Sequence, residues 1–374
     1  MLQPGDFFDI LRRNGIEFFA GVPDSLLKSF CAYVTANVAP DRHVIAANEG
    51  GAVALGLGYH LATGKLPLIY MQNSGLGNSV NPLMSLADPD VYAVPMILLI
   101  GWRGEPGVKD EPQHRKQGRV MVPMLEAMDI PHAVLSTDLD EAQAIVEQAV
   151  GYAREHSTPY AIVVRKGTFE KFALPGEDRP AYPMGREEAI KVIVDGLQST
   201  DILVSTTGMA SRELFEYRVA RGDGHGSDFL TVGGMGHASQ IALGVAMQRP
   251  DRLVFCLDGD GAVLMHMGSL AINAQLNCPN FKHVVLNNGA HDSVGGQPTV
   301  GFDIDIPRVA EAVGYETVLR AEAAGEVKAG LRELRDAPRM GLLEIRVNKG
   351  SRPDLGRPTT TPIQNKEGFM DFVR

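Results

Sequence analysis

Short apolar runs alternate along this chain with longer stretches in which apolar residues recur every three to four positions. The runs in the first half are residues 16–20 (IEFFA), 66–71 (LPLIYM), 95–101 (PMILLIG) and 160–165 (YAIVVR). Those in the second half are 201–205 (DILVS), 252–257 (RLVFCL), 283–287 (HVVLN) and 342–347 (LLEIRV). A strand that is apolar at nearly every position, not at every second one, has both faces buried, as in a parallel sheet covered by helices. The rhythm predicts an α/β fold made of two doubly wound parallel-sheet domains. Residues 168–185 (TFEKFALPGEDRPAYPMG) lack periodicity and are rich in Pro, Gly and charge, which suits a linker. The division expected is a first domain at 1–167, the linker, a second domain at 186–350 and a tail at 351–374. That tail reads as a docked extension or as a lid. The two halves share size and rhythm, which fits an old duplication and fits two unrelated α/β domains equally well.

Composition narrows the function classes. The chain has 374 residues, 44% hydrophobic and 21% charged, long enough for two cores of ordinary size. It contains no apolar run of about 18 residues, so no membrane span is expected, and the N-terminal MLQPGDFFDILRRNG lacks a secretory pattern. A net charge of −10 argues against nucleic-acid binding, which needs a basic face. Cys31, Cys256 and Cys278 have no metal-site or CxxC spacing and read as reduced packing residues, consistent with a cytoplasmic protein.

Candidate chemistry concentrates at the ends of two runs. The run 252–257 leads into Asp258-Gly259-Asp260-Gly261 and a helix; 283–287 ends at Asn287-Asn288, 28 residues after Asp260. In open α/β sheets ligands bind at the carboxyl ends of strands. Gly259 and Gly261 let backbone approach a phosphate, and a helix start favours an anion. Asp260 and Asn288 supply hard oxygen ligands suited to Mg²⁺ held jointly with phosphate oxygens. Asp-Gly pairs alone mostly make turns; the spacing to the Asn pair is what carries the reading.

The stretch CLDGDGAVLMHMGSLAINAQLNCPNFKHVVLNNGAHDS resembles the GDG…NN signature of the thiamine diphosphate enzymes. The resemblance implies thiamine diphosphate as cofactor, with Mg²⁺ on Asp260, Asn288 and the Ala290 carbonyl, and Gly259, Gly261 and Ala262 along the diphosphate. TVGGMGHASQIALGVA (231–246) resembles the loop that bends the cofactor, with Met235 beside Gly234 as the wedge between its rings; on its own Met235 would read as core filling. STTGMASREL (205–214) brings Gly208 and Met209 to the cofactor. In the first half, HVIAANEGGAVALGLGYHLATGK (43–65) resembles the segment carrying the activating glutamate, here Glu49, although a glutamate at a helix start also complements the macrodipole. AGVPDSLL (20–27) places Val22 and Pro23 at the cofactor and Asp24 and Ser25 at the mouth of the site. QNSGLGNSVNPL (72–83) adds Asn73, Ser74 and Gly75 for the pyrimidine and Asn78 for substrate.

The resemblance covers nearly the whole chain, as a pyrimidine-binding domain followed by a diphosphate-binding domain, with no room for the third domain of larger relatives. Short chains of this order resemble phosphonopyruvate and sulfopyruvate decarboxylases. GWRGEPGVKDEPQHRKQGR (101–119), NNGAHDSVGGQPT (287–299) and the tail favour the phosphono side. The implied reaction is decarboxylation of 3-phosphonopyruvate to phosphonoacetaldehyde in phosphonate biosynthesis, by a homo-oligomer with a dimer as minimum. His114 and His291 are the candidates for proton transfer, though either fits a solvent-facing histidine equally well. The phosphonate clamp is expected from Arg115 and Lys116 with nearby Arg103, and from the loop holding Ser293, Gly295 and Gly296, whose N–H groups could cradle an anion. Arg352 or Arg357 in the tail is the alternative. Two other classes stay open: a dinucleotide oxidoreductase, disfavoured by the lack of a GxGxxG strand–helix junction, and a non-catalytic thiamine diphosphate-binding regulator, disfavoured by Glu49.

Overall fold

The computed structural model describes residues 1–176 and 182–374. The chain divides into two compact units, Met1–Glu177 and Asp178–Arg374.

The first unit is built on a six-stranded sheet, all parallel, of β1 (Phe18–Gly21), β2 (His43–Ile45), β3 (Pro67–Gln72), β4 (Met96–Gly101), β5 (His132–Val134) and β6 (Pro159–Val164). Their order is β2-β1-β3-β4-β6-β5. Alternate residues of the central strands enter different cores. Phe19, Leu68, Tyr70, Ile97, Leu99 and Ile162 meet helices Pro4–Arg13, Lys28–Asn37 and Leu139–His156 on one face. Ala20, Ile69, Met71, Leu98, Ile100 and Val163 meet Glu49–Thr63 and Pro112–Ala127 on the other. Covering both faces requires both sets to be apolar, which is why these strands read as continuous apolar runs.

The second unit repeats the plan with β7 (Ile202–Ser205), β8 (Asp228–Leu230), β9 (Val254–Gly259), β10 (Phe281–Asn287), a hairpin of β11 (Ala290–His291) and β12 (Gln297–Pro298), then β13 (Thr317–Ala321) and β14 (Gly341–Arg346). Its six-stranded parallel sheet runs β13-β14-β10-β9-β7-β8. In both sheets the chain reverses direction beside the first strand: between β1 and β3, and between β7 and β9. Each reversal opens a crevice at the carboxyl edge, where an α/β sheet binds ligands.

All eight expected runs are strands, shifted by at most two residues or so. The four strands without such a run, β2, β5, β8 and β13, are the edges of the two sheets. Three to five residues long and mostly half-exposed, they have no continuous apolar signal. The flanks of 168–185 are tied down: the Leu2 N–H donates to the Thr168 carbonyl, and Gly185 pairs with Asn348. Residues 177–181 of that stretch lie outside the described residues. The tail docks on the second unit through helix Pro362–Val373. Asn365 accepts from the Leu230 N–H at 3.0 Å and donates to the Asp228 carbonyl at 2.8 Å, completing the open edge of β8 like a further strand.

Candidate functional site

In the second unit, every candidate from Gly208 to Gly296 sits on the loop, first helical turn or short hairpin that follows the carboxyl edge of β7, β8, β9 or β10. Asp260 opens the helix Asp260–Met265 and is only 3% exposed. It accepts from the Thr299 hydroxyl and from the backbone N–H groups of Asn288 and Gly261. Burial pushes its carboxyl up to about 6 despite these donors. No cationic side chain pairs with it among the described residues, so a buried carboxylate is left with neutral donors only. Gly301 presses against it: a Cβ there would fall 2.6 Å from Asp260 Oδ2 and 2.7 Å from Asn287 Oδ1. Asn288 Nδ2 donates to Asp292 Oδ2 at 2.8 Å, which leaves Oδ1 facing its own loop, accepting from the Ala290 N–H at 3.1 Å. A buried carboxylate without a counterion, beside an amide oxygen, is a donor set that fits a hard divalent cation.

Three further contacts draw the loops together. A Cβ on Gly261 would meet the Met235 methyl and His291 Cε1, each at 3.1 Å, so both side chains converge on the Asp260 turn. Gly208, at φ 98° and ψ −138°, lies in a region open only to glycine, and its Cα hydrogen points at Ser293. Burial lowers the pKa of His291 to about 4, which keeps its imidazole neutral. The glycine loop is less available than expected, because the Gly296 N–H already donates to the His291 carbonyl.

Beneath this loop lies a charge network that local sequence does not announce. Arg186 is bidentate to Glu213, at 2.8 and 2.9 Å, and reaches Asp292 at 2.7 Å. Asp292 Oδ2 also accepts from the Gly350 N–H and from Asn288. The partners stand 27, 106 and 164 residues from Arg186 in sequence, so no motif could reveal them. Arg352 is held among the carboxylates of Glu187, Glu216 and Asp354.

In the first unit the candidates likewise leave the carboxyl edge. Glu49 begins helix Glu49–Thr63, whose start is capped by Asn48 accepting from the Gly51 N–H. It is buried, and Asn78 Nδ2 donates to its Oε2 at 2.7 Å. Gly75 makes that burial possible, since a Cβ there would stand 2.5 Å from Glu49 Oε1. Asn78 is therefore engaged with Glu49.

Val22 and Pro23 are buried. Asp24 is turned inward and fully buried. It accepts from the Leu26 and Leu27 N–H groups and from Gln72, fastening the β1 and β3 loops across the crevice. Asn73 brackets the backbone of Arg103, donating to its carbonyl and accepting from its N–H, while Ser74 donates to Gln72. Arg103 is neutralised by Asp110 and donates to Ser25, so it orders the loop after β4. His114 starts the helix beside it, and burial with the Arg103 charge lowers its pKa to about 4. Arg115 and Lys116 are exposed on the same helix.

Residues 6–121 match the N-terminal TPP-binding domain, and residues 206–345 the C-terminal TPP-binding domain, of thiamine pyrophosphate enzymes. Across its whole length the chain is 34% identical to phosphonopyruvate decarboxylase of Streptomyces viridochromogenes, covering 95% of that protein. The chain belongs to the phosphonopyruvate decarboxylase family of thiamine pyrophosphate enzymes. The enzyme of the same name from Streptomyces hygroscopicus is 33% identical, with 100% of this chain and 94% of that one aligned. Sulfopyruvate decarboxylase of Methanosarcina acetivorans is 25% identical over 92% of this chain and 90% of its own. The family match places both TPP-binding domains on the two sheets, and the loops described above fall within or beside the matched residues.

Proposed function

We propose that this chain is a carboxy-lyase that converts 3-phosphonopyruvate to phosphonoacetaldehyde and CO₂, using thiamine diphosphate held with Mg²⁺. The observation that carries it is the full-length likeness to phosphonopyruvate decarboxylases, joined to a buried Asp260 carboxylate that no cationic side chain offsets among the described residues. Asp260, Asn288 Oδ1 and the Ala290 carbonyl would hold Mg²⁺, and Gly208, Met209, Gly234, Gly259, Gly261 and Ala262 would line the cofactor. When bound, the cofactor supplies a carbanion nucleophile and an electron sink for the departing carboxylate.

The chain's own residues do the rest. Glu49 holds a proton at the pyrimidine N1′, and Asn78 fixes the rotamer of its carboxyl. Met235 and His291 pack over Gly261 and exclude water from the reacting face. His291 and His114, held neutral by burial, would face the substrate as relays, each able to take up a proton on one ring nitrogen while releasing one from the other. Substrate brings close to three negative charges to a chain of net charge −10, so Arg115, Lys116 and the Ser293 hydroxyl are the proposed phosphonate partners.

A dimer is proposed as the minimum active unit. Helix Glu49–Thr63 exposes Leu55 and Leu61, and Gly268–Leu276 exposes Ile272 and Leu276, apolar faces suited to a second copy. No helix among the described residues is long and apolar enough to cross a membrane, and a cytoplasmic role in phosphonate biosynthesis is proposed.

The test is CO₂ release from phosphonopyruvate, sulfopyruvate and pyruvate, with thiamine diphosphate and Mg²⁺ supplied. Phosphonopyruvate should turn over fastest; a preference for sulfopyruvate would assign the chain to the other decarboxylase. Glu49→Gln should bind the cofactor yet lose roughly 10²–10⁴-fold in turnover.

A further inference from the structure

The segment after β8 makes a tight turn at Gly234-Met235-Gly236-His237. The His237 N–H returns to the Gly234 carbonyl at 3.2 Å, and Gly236, third in the turn, has φ 83°, as a type II turn requires. Gly234 is also left-handed, at φ 67°. Met235 thus stands between two residues of the greatest backbone freedom, and the turn alone would not hold its side chain in one direction.

The ring of His237 supplies the missing constraint. Its Nδ1 lies 3.1 Å from the Gly234 carbonyl and 3.1 Å from the Met235 carbonyl. Both partners are acceptors only, so Nδ1 carries the proton and donates to both. His266 backs the ring, with centroids 4.5 Å apart. It also closes on the turn from behind, since a Cβ on Gly236 would fall 2.5 Å from His266 Cδ2. Held on both sides, Met235 reaches Gly261 with its methyl group, at the point where His291 also arrives.

We infer that His237 is a positioning residue: its Nδ1 proton clamps the Met235 turn and so shapes the apolar wall above the Asp260 turn. This rests on the reading of the Asp260 loops as a thiamine diphosphate site and adds to it a residue that does not touch the cofactor. The ring's role is a donor's. A side chain with an N–H in the same place should replace it, whereas one without should not.

The experiment compares full-length wild type, His237→Asn and His237→Ala by two readouts. The first is calorimetric titration with thiamine diphosphate in the presence of Mg²⁺. The second is amide exchange of residues 234–237 in cofactor-free protein. The asparagine amide can donate where Nδ1 does, without the ring's acid–base chemistry. We expect His237→Ala to bind the cofactor about tenfold more weakly, the worth of one net hydrogen bond, and its turn amides to exchange faster by a similar factor. His237→Asn should stay within about threefold of wild type on both. If alanine does not fold, His237→Leu keeps the bulk against His266 without a donor and carries the same expectation. Donor-less variants equal to wild type would overturn the clamp. So would asparagine falling as far as alanine, because the ring itself would then be what matters. A wild type that ignores thiamine diphosphate would instead sink the parent reading, and the exchange measurement would still decide the clamp.

Discussion

Replacing Arg186 by methionine removes the centre of the charge network beneath the Asp292 loop. The Arg186 side chain is 8% exposed, and it faces Glu213 at 1% and Asp292 at 13%. Asp292 keeps two other donors, Asn288 and the Gly350 N–H, so most of the penalty falls on Glu213. Among the described residues Arg186 is the only side chain that hydrogen-bonds the Glu213 carboxylate. Breaking a buried pair from one side costs about 3–5 kcal/mol. With a urea dependence of about 2–3 kcal/mol per molar, the midpoint should fall by roughly 1–2.5 M.

The pH dependence follows from the same geometry. Burial already raises the Glu213 carboxyl, and Arg186 pulls it back down. Without the guanidinium the folded-state pKa climbs further above its unfolded value, and a group so raised favours the fold at low pH and loses that favour as pH rises. The defect should therefore be larger at pH 8 than at pH 5. Urea unfolding followed by far-UV circular dichroism at both pH values measures it, with Arg186→Met/Glu213→Met expected to recover most of the loss. A single variant within about 1 kcal/mol of wild type at pH 8 would show that the network does not stabilise the loop.

Two glycines at mid-helix positions should respond in opposite ways to alanine. Gly118 supports the loop after β4, where a Cβ would lie 1.7 Å from the Gly104 carbonyl, so Gly118→Ala should cost about 1–3 kcal/mol and loosen the Trp102 bond to the Gly118 carbonyl. A Cβ on Gly151 would meet nothing within 4 Å outside its own helix turn, and Gly151→Ala should stabilise by about 0.5–1 kcal/mol through helix propensity alone; thermal melts that moved both the same way would contradict the contrast. Burial lowers the pKa of His43 from 6.5 to about 4. Between those values the unfolded chain takes up a proton that the folded chain refuses, so acidification should remove no more than about 3–4 kcal/mol through this group. His43→Gln, which can still reach the Tyr70 hydroxyl that His43 meets at 2.9 Å, should flatten denaturation profiles over that range.

The central strands and the loops that follow them were legible in the amino-acid order, because burial on both faces writes itself as an unbroken apolar run and glycine marks each sharp exit. Asp260 and Asn288 could be picked out for the same reason, each standing a few residues from such a run, whereas Glu49 follows the edge strand β2 and was marked only by the likeness of its segment to the family's. The edge strands β2, β5, β8 and β13 could not, since a strand paired on one side and half-exposed needs no apolar run. Nor could the charges be assigned by position. Arg103 and Arg352, both cationic candidates for substrate, are matched with Asp110 and with Glu187, Glu216 and Asp354, and Asp24 faces inward. The tail's choice between docking and closing also rested on a partner far away, the open edge of β8, 137 residues from Asn365. Hydrophobic burial is a property of each segment and leaves a periodic trace in it. A hydrogen bond or ion pair belongs to two distant segments, and only the folded chain brings them within 3 Å.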